Sequence, residues 1–202
     1  MRRALALLCI LSPAVASADV FKLFGEVHGG GMDGAGLSGT QKDSAFFANA
    51  PHAMYGALVG AELLFLDAWI QHHQYINGST LETWTQFGVG AHGTIDLGSA
   101  QDQKAHKGGY FEVGGGLFFG LSTDRQVHPP LDNSQVSDKG FLVEGRLGFG
   151  THLNKVFDLG IEVPVSYGFF FINGAAANNT DNQYRGWEAE ALLALRINVR
   201  LL

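Results

Sequence analysis

Residues 158–171 read DLGIEVPVSYGFFF. Apolar side chains recur at Leu159, Ile161, Val163, Val165, Tyr167, Phe169 and Phe171, against Asp158, Gly160, Glu162, Ser166 and Gly168 between them. A period of two puts these sets on opposite faces of a β-strand. The stretch before it, GFLVEGRLGFGTH at 140–152, opposes Phe141, Val143, Leu147 and Phe149 to Glu144, Arg146, Gly148, Gly150 and His152. Only five residues separate the two stretches, which makes them an antiparallel hairpin.

The same rhythm extends in both directions. Residues 109–121 set Phe111, Val113, Leu117, Phe119 and Leu121 against Tyr110, Glu112, Gly114 and Gly116. Residues 187–201 set Trp187, Ala189, Ala191, Leu193, Leu195, Ile197, Val199 and Leu201 against Glu188, Glu190, Arg196, Asn198 and Arg200. Residues 83–96, 53–65 and 20–30 alternate likewise, which makes seven strands. An eighth is expected at 67–76, DAWIQHHQYI, after a turn at Leu66-Asp67, although Gln71, His72, His73 and Gln74 make both of its faces polar. Links of unequal character alternate: 31–52, 77–82, 122–139 and 172–186 after the odd strands, 66–67, 97–108 and 153–157 after the even ones. Long links at one rim and short turns at the other are the habit of an outer-membrane barrel. The fold class read from this pattern is all-β, an eight-stranded antiparallel up-and-down transmembrane β-barrel.

Composition agrees with that class. The chain has 202 residues, of which 28 are glycine, and only 16% are charged. That is well below an ordinary soluble domain. So many apolar and aromatic residues exclude intrinsic disorder. With 19 acidic residues against 13 basic ones there is no basic balance to favour nucleic acid. Residues 1–18, MRRALALLCILSPAVASA, carry Arg2 and Arg3, an apolar run from Ala4 to Leu11, and Ala16-Ser17-Ala18. This is the pattern of a cleaved signal peptide, with the barrel domain then spanning 19–202. The lone Cys9 would leave with it, so no disulfide is expected.

Alternation does not say which face points outward. Volume does. Eight strands enclose a space that side chains nearly fill, and the Phe, Leu and Tyr of the apolar face would overfill it. Gly56, Gly60, Gly88, Gly90, Gly114, Gly116, Gly148, Gly150, Gly160 and Gly168 lie on the polar face, where glycine makes room for bulky neighbours. The apolar face is therefore expected toward lipid.

On these strands, and on a last segment ALRINVRLL that alternates to the final residue, the chain resembles the OmpA/OmpX-like eight-stranded outer-membrane barrels. It ends Leu201-Leu202, where an aromatic residue is usual in that family. The resemblance implies a bacterial outer-membrane location, contact with membrane lipid and lipopolysaccharide, and handling by the export and barrel-assembly machinery. It implies no cofactor. No globular peptidoglycan-binding domain follows the strands, so that role does not carry over.

The polar face supplies the candidate site: a lumen charge network of Lys22, Glu26, Glu62, Glu112, Glu144, Arg146, Glu162, Glu190, Arg196 and Arg200, with Glu188 on the same face. Closure of the last strand on the first with Lys22 near Arg200 would bring Glu26 to Arg196, and Glu162 would reach Arg196 from the other side. Buried charges need partners, and such a plug would hold strand register. The expected function is structural, or interaction through the loops 31–52 and 122–139, without catalysis. Two alternatives differ in class. One is a lipid-modifying hydrolase: lipid A deacylases on this scaffold use a His/Ser/Glu arrangement, and here His92, Thr94 and Glu112 share a face. The other is a soluble exported lipocalin-like barrel holding an apolar ligand. His72 and His73 are consecutive and so point to opposite faces, and no metal-ligand spacing appears among the eight histidines.

Overall fold

The structure, a computed structural model, describes residues 20–39, 52–77, 80–125, 136–173 and 183–201. The expected signal peptide at 1–18 lies outside the described residues. Eight strands form in chain order: β1 (Phe21–Gly39), β2 (His52–Leu63), β3 (Leu66–Asn77), β4 (Thr80–Asp96), β5 (Gly108–Arg125), β6 (Val136–His152), β7 (Phe157–Asn173) and β8 (Gln183–Arg200). Each pairs antiparallel with its neighbours in sequence, and β1 pairs with β8, so the sheet closes into a barrel with no free edge. The closing register sets Lys22 opposite Arg200 and Glu26 opposite Arg196.

The apolar set faces outward on all eight strands. Val59 and Leu117 are 63% and 61% exposed, whereas Gln71 and His73 of the inward set are 1% exposed. An apolar surface of this extent is incompatible with water on a monomer, and it fits acyl chains. Two aromatic bands bound it. Phe111 packs on Phe149 near one rim, with ring centroids 4.8 Å apart. Phe119 packs on Phe141 toward the other rim, at 5.2 Å. Eight residues separate the bands along β5 and β6, which on strands tilted by ~40° is roughly 20 Å of height. The molecule is a transmembrane-type barrel.

The β2–β3 turn falls at Leu64-Phe65, two residues before the expected turn at Leu66-Asp67, with Leu64 in the left-handed region (φ 62°). The links at the opposite rim also need correction. Residues 31–39 belong to β1, 122–125 to β5 and 136–139 to β6, so the segments expected as loops 31–52 and 122–139 are partly strand. What remains of them, 40–51 and 126–135, lies outside the described residues. A ladder needs only backbone partners to continue. Alternation of side chains needs a bilayer on one side, and beyond the belt it fades while pairing persists.

The link after β4 is ordered too. It carries a short helix, α1 (Ala100–Ala105). Ser99 Oγ accepts from the Asp102 amide at 3.2 Å, and Asp102 Oδ2 accepts from the Ser99 amide at 3.1 Å. That reciprocal capping starts the helix. The Ser99 hydroxyl and amide together hold the exposed Asp102 carboxyl below its usual range.

Candidate functional site

The inward face is built by the even-numbered residues of seven strands and the odd-numbered residues of β3. Inside the lumen the Arg196 guanidinium gathers three carboxylates. Its Nε donates to Glu26 Oε2 at 3.0 Å, Nη1 to Glu112 Oε2 at 2.6 Å, and Nη2 to Glu162 Oε1 at 2.7 Å. One side chain of β8 is thus tied to β1, β5 and β7. Arg146 of β6 extends the layer, with Nη1 on Glu162 Oε2 at 3.1 Å and Nε on Glu144 Oε1 at 3.1 Å. Ser166 donates to the other Glu144 oxygen at 3.3 Å. Charge-assisted, multiply bonded guanidinium contacts of this kind are the ones that can offset desolvation.

The remaining expected residues fall into smaller groups. Lys22 pairs with Glu62 near the short-link rim. The ring of His92 lies between two acids, with Nδ1 on Asp67 and Nε2 3.4 Å from Glu62. Arg200 donates from Nη1 to the His106 ring, 2.7 Å from Nδ1. Glu190 faces His73 at 3.7 Å, and Glu188 is buried on the same strand. His152 bridges Asp158 at 2.7 Å and Asp96 at 3.1 Å.

Several of these partners were not among the expected site residues. Asp67, Gln71 and His73 come from β3, whose odd positions Asp67, Trp69, Gln71, His73 and Tyr75 all point inward. The polar run had masked that alternation. The outward half of the same run includes His72, which lies opposite Thr85 beside the outward apolar pair Ile70 and Phe87, and it hydrogen-bonds Thr85 Oγ1 at 2.8 Å.

A second part of the plug is apolar, which the strand pattern did not lead us to expect. Met32, Met54, Trp69, Tyr75, Trp84, Phe118, Leu142 and Leu192 form one buried cluster within the lumen. Glycine makes it possible. A Cβ at Gly88 would stand 2.7 Å from Trp69 Cε2 and 2.8 Å from Phe118 Cε1, so these rings occupy the space a side chain there would need.

The chemistry available to this lumen is that of fixed ion pairs. The hydrolase arrangement does not assemble. Both oxygens of Glu112 are bound to Arg196, at 2.6 and 3.3 Å, so Glu112 is not available to orient His92. His92 in turn is bound through Nδ1 to Asp67. Among the described residues, one group of three His, Asp and Glu side chains brings ligand atoms within 4.8 Å of one another: Glu62, Asp67 and His92. They come from three strands, so no spacing along the chain announces them.

No family model matches the chain, and no curated protein matches it. Solved structures do. Neisserial surface protein A (NspA) is 13% identical, with 92% of this chain and 99% of that one covered at a TM-score of 0.41. The outer membrane protein OprG from Pseudomonas aeruginosa is 9% identical, with 90% and 96% covered at 0.43.

Proposed function

We propose that the chain is an outer-membrane barrel of a Gram-negative bacterium, closed through its centre by its own side chains. Its role on this reading is structural, or one of interaction through the segments at the long-link rim, 40–51 and 126–135 among them. It works without a cofactor, in contact with membrane lipid and lipopolysaccharide, after handling by the export and barrel-assembly machinery. The observation that carries the reading is the inversion of faces: a continuous apolar exterior between two aromatic bands, around an interior of ion pairs. Up-and-down barrels with that inversion are built for the bacterial outer membrane. A lipocalin-like carrier needs the opposite arrangement.

A non-catalytic role is supported by the way the inward polar groups are engaged. His92 and Glu112, which the hydrolase reading draws on, are bound to neighbouring charges. Fractionation tests the whole reading. Expressed in a Gram-negative host, the chain should sediment with outer-membrane fractions and migrate as a compact band in a gel until heated. Recovery as a soluble periplasmic protein, or loss of the mobility shift, would count against it.

A further inference from the structure

We propose that Glu62, Asp67 and His92 form a divalent-metal site at the short-link mouth of the barrel, suited to Zn2+. The β2–β3 turn creates it. A two-residue turn at Leu64-Phe65 forces Glu62 and Asp67 directly opposite each other, both inward and both buried. Like charges in that position repel, so the fold has placed a net charge of −2 where a cation is needed. His92 approaches from β4, two residues beyond Gly90, the partner of Asp67.

The protein's own groups only half satisfy this pair. Lys22 offers one positive charge, and it lies against Glu62. One oxygen of Asp67, Oδ1, is buried with no hydrogen-bond partner, in a carboxylate that is 4% exposed. A cavity of about 40 Å³ adjoins it, lined by Lys22, Asp67, Trp69 and His92 and also by Arg146 and Arg196, whose charges are held by the carboxylates of the ion-paired layer. It has room for an ion with a water or two and is too small for an organic ligand. The buried Trp69, also on its wall, has an Nε1–H without an acceptor.

One imidazole with two carboxylates is a Zn2+ donor set, with a position left for water. Tetrahedral Zn2+ at its usual bond lengths wants donors about 3.3 Å apart. The present atoms lie within 4.8 Å of one another. The side chains of Glu62 and His92 are 11% and 14% exposed at the mouth, where small rotations close that gap. Bound Zn2+ would neutralise the carboxylate pair and free Lys22 to turn outward.

The test is Zn2+ itself. The full chain, refolded in detergent micelles, is dialysed against Zn2+ and the bound metal measured by mass spectrometry. One Zn2+ per chain is expected. H92Q should weaken binding by about tenfold or more. H152Q alters the other acid-bridged histidine at this rim and should leave binding unchanged. Absence of stoichiometric Zn2+, equal binding by H92Q, or a loss confined to H152Q would overturn the proposal. If H92Q does not refold, K22M decides. It removes no ligand and takes away the competing cation, so it should bind Zn2+ several-fold more tightly; unchanged or weaker binding would overturn the site.

Discussion

Arg196 is the residue on which the lumen turns. Its guanidinium is shared by Glu26, Glu112 and Glu162, so replacing it with methionine strands three buried carboxylates at once. Breaking a buried pair by removing one partner costs about 3–5 kcal/mol. Arg196→Met should therefore lower the denaturant midpoint of the barrel in micelles by a corresponding amount, read by the heat- and urea-dependent gel shift. An unchanged midpoint would remove Arg196 from the centre of the network. Adding Glu112→Gln should recover part of the loss, because one of the stranded charges goes. Part of this layer was legible beforehand. Glu26 and Arg196 are neighbours once the closing register is known, whereas the β7–β8 register sets Arg196 opposite Asp158 and Glu162 opposite Leu192, so Glu162 meets Arg196 only by side-chain reach. Glu112 was not legible as their partner. It crosses the lumen from β5, and nothing in strand-to-strand register reports how far a side chain reaches across a tube.

At the scale of elements, the strands show where sequence pattern and structure part. Alternation records the bilayer, so it marks the part of each strand that crosses the belt. β1 continues to Gly39 through GGGMDGAGLSG, where glycine on both faces leaves no contrast to read, and only its partner β8 reveals the extension. The helix α1 was hidden for a related reason: six residues carry no apolar period, though Ser99 and Asp102 stood at capping-box spacing. β6 makes the height argument testable. Leu147 points outward between the two aromatic bands, whereas the exposed Leu153 lies beyond Phe149 in the β6–β7 turn. An arginine at position 147 should destabilise the folded barrel in a bilayer by about 2–4 kcal/mol, and an arginine at position 153 by about 1 kcal/mol or less. Paired unfolding titrations of the two variants in lipid vesicles measure the difference. Equal costs would mean that the belt has been drawn at the wrong height.

For the whole molecule, the decision about which face meets lipid could be made before any coordinates, because only one choice fits the volume of an eight-stranded tube. The contents of the tube were less accessible. Sorting residues by the majority character of a face assigns Trp69, Trp84, Phe118 and Leu192 to the polar side by parity, yet says nothing of their joining into a cluster. Their assembly depends on shear and on the glycines beneath the rings, which are properties of the closed sheet. The consequence is that two barriers of different kind lie in series along the axis. The apolar cluster offers an ion no hydration, and the Arg196–Arg146 layer offers it fixed charges already paired. Either barrier alone would oppose permeation, since an eight-stranded barrel leaves little bore to begin with. The full chain reconstituted in a planar bilayer should therefore show no resolved single-channel steps at moderate voltage. Arg196→Met, which disrupts only the charged layer, should stay silent as well, because the rings above it remain in place. Sustained unitary currents from the unaltered protein would mean that these side chains move aside together. Currents appearing only in Arg196→Met would mean that the ion-paired layer is the sole barrier.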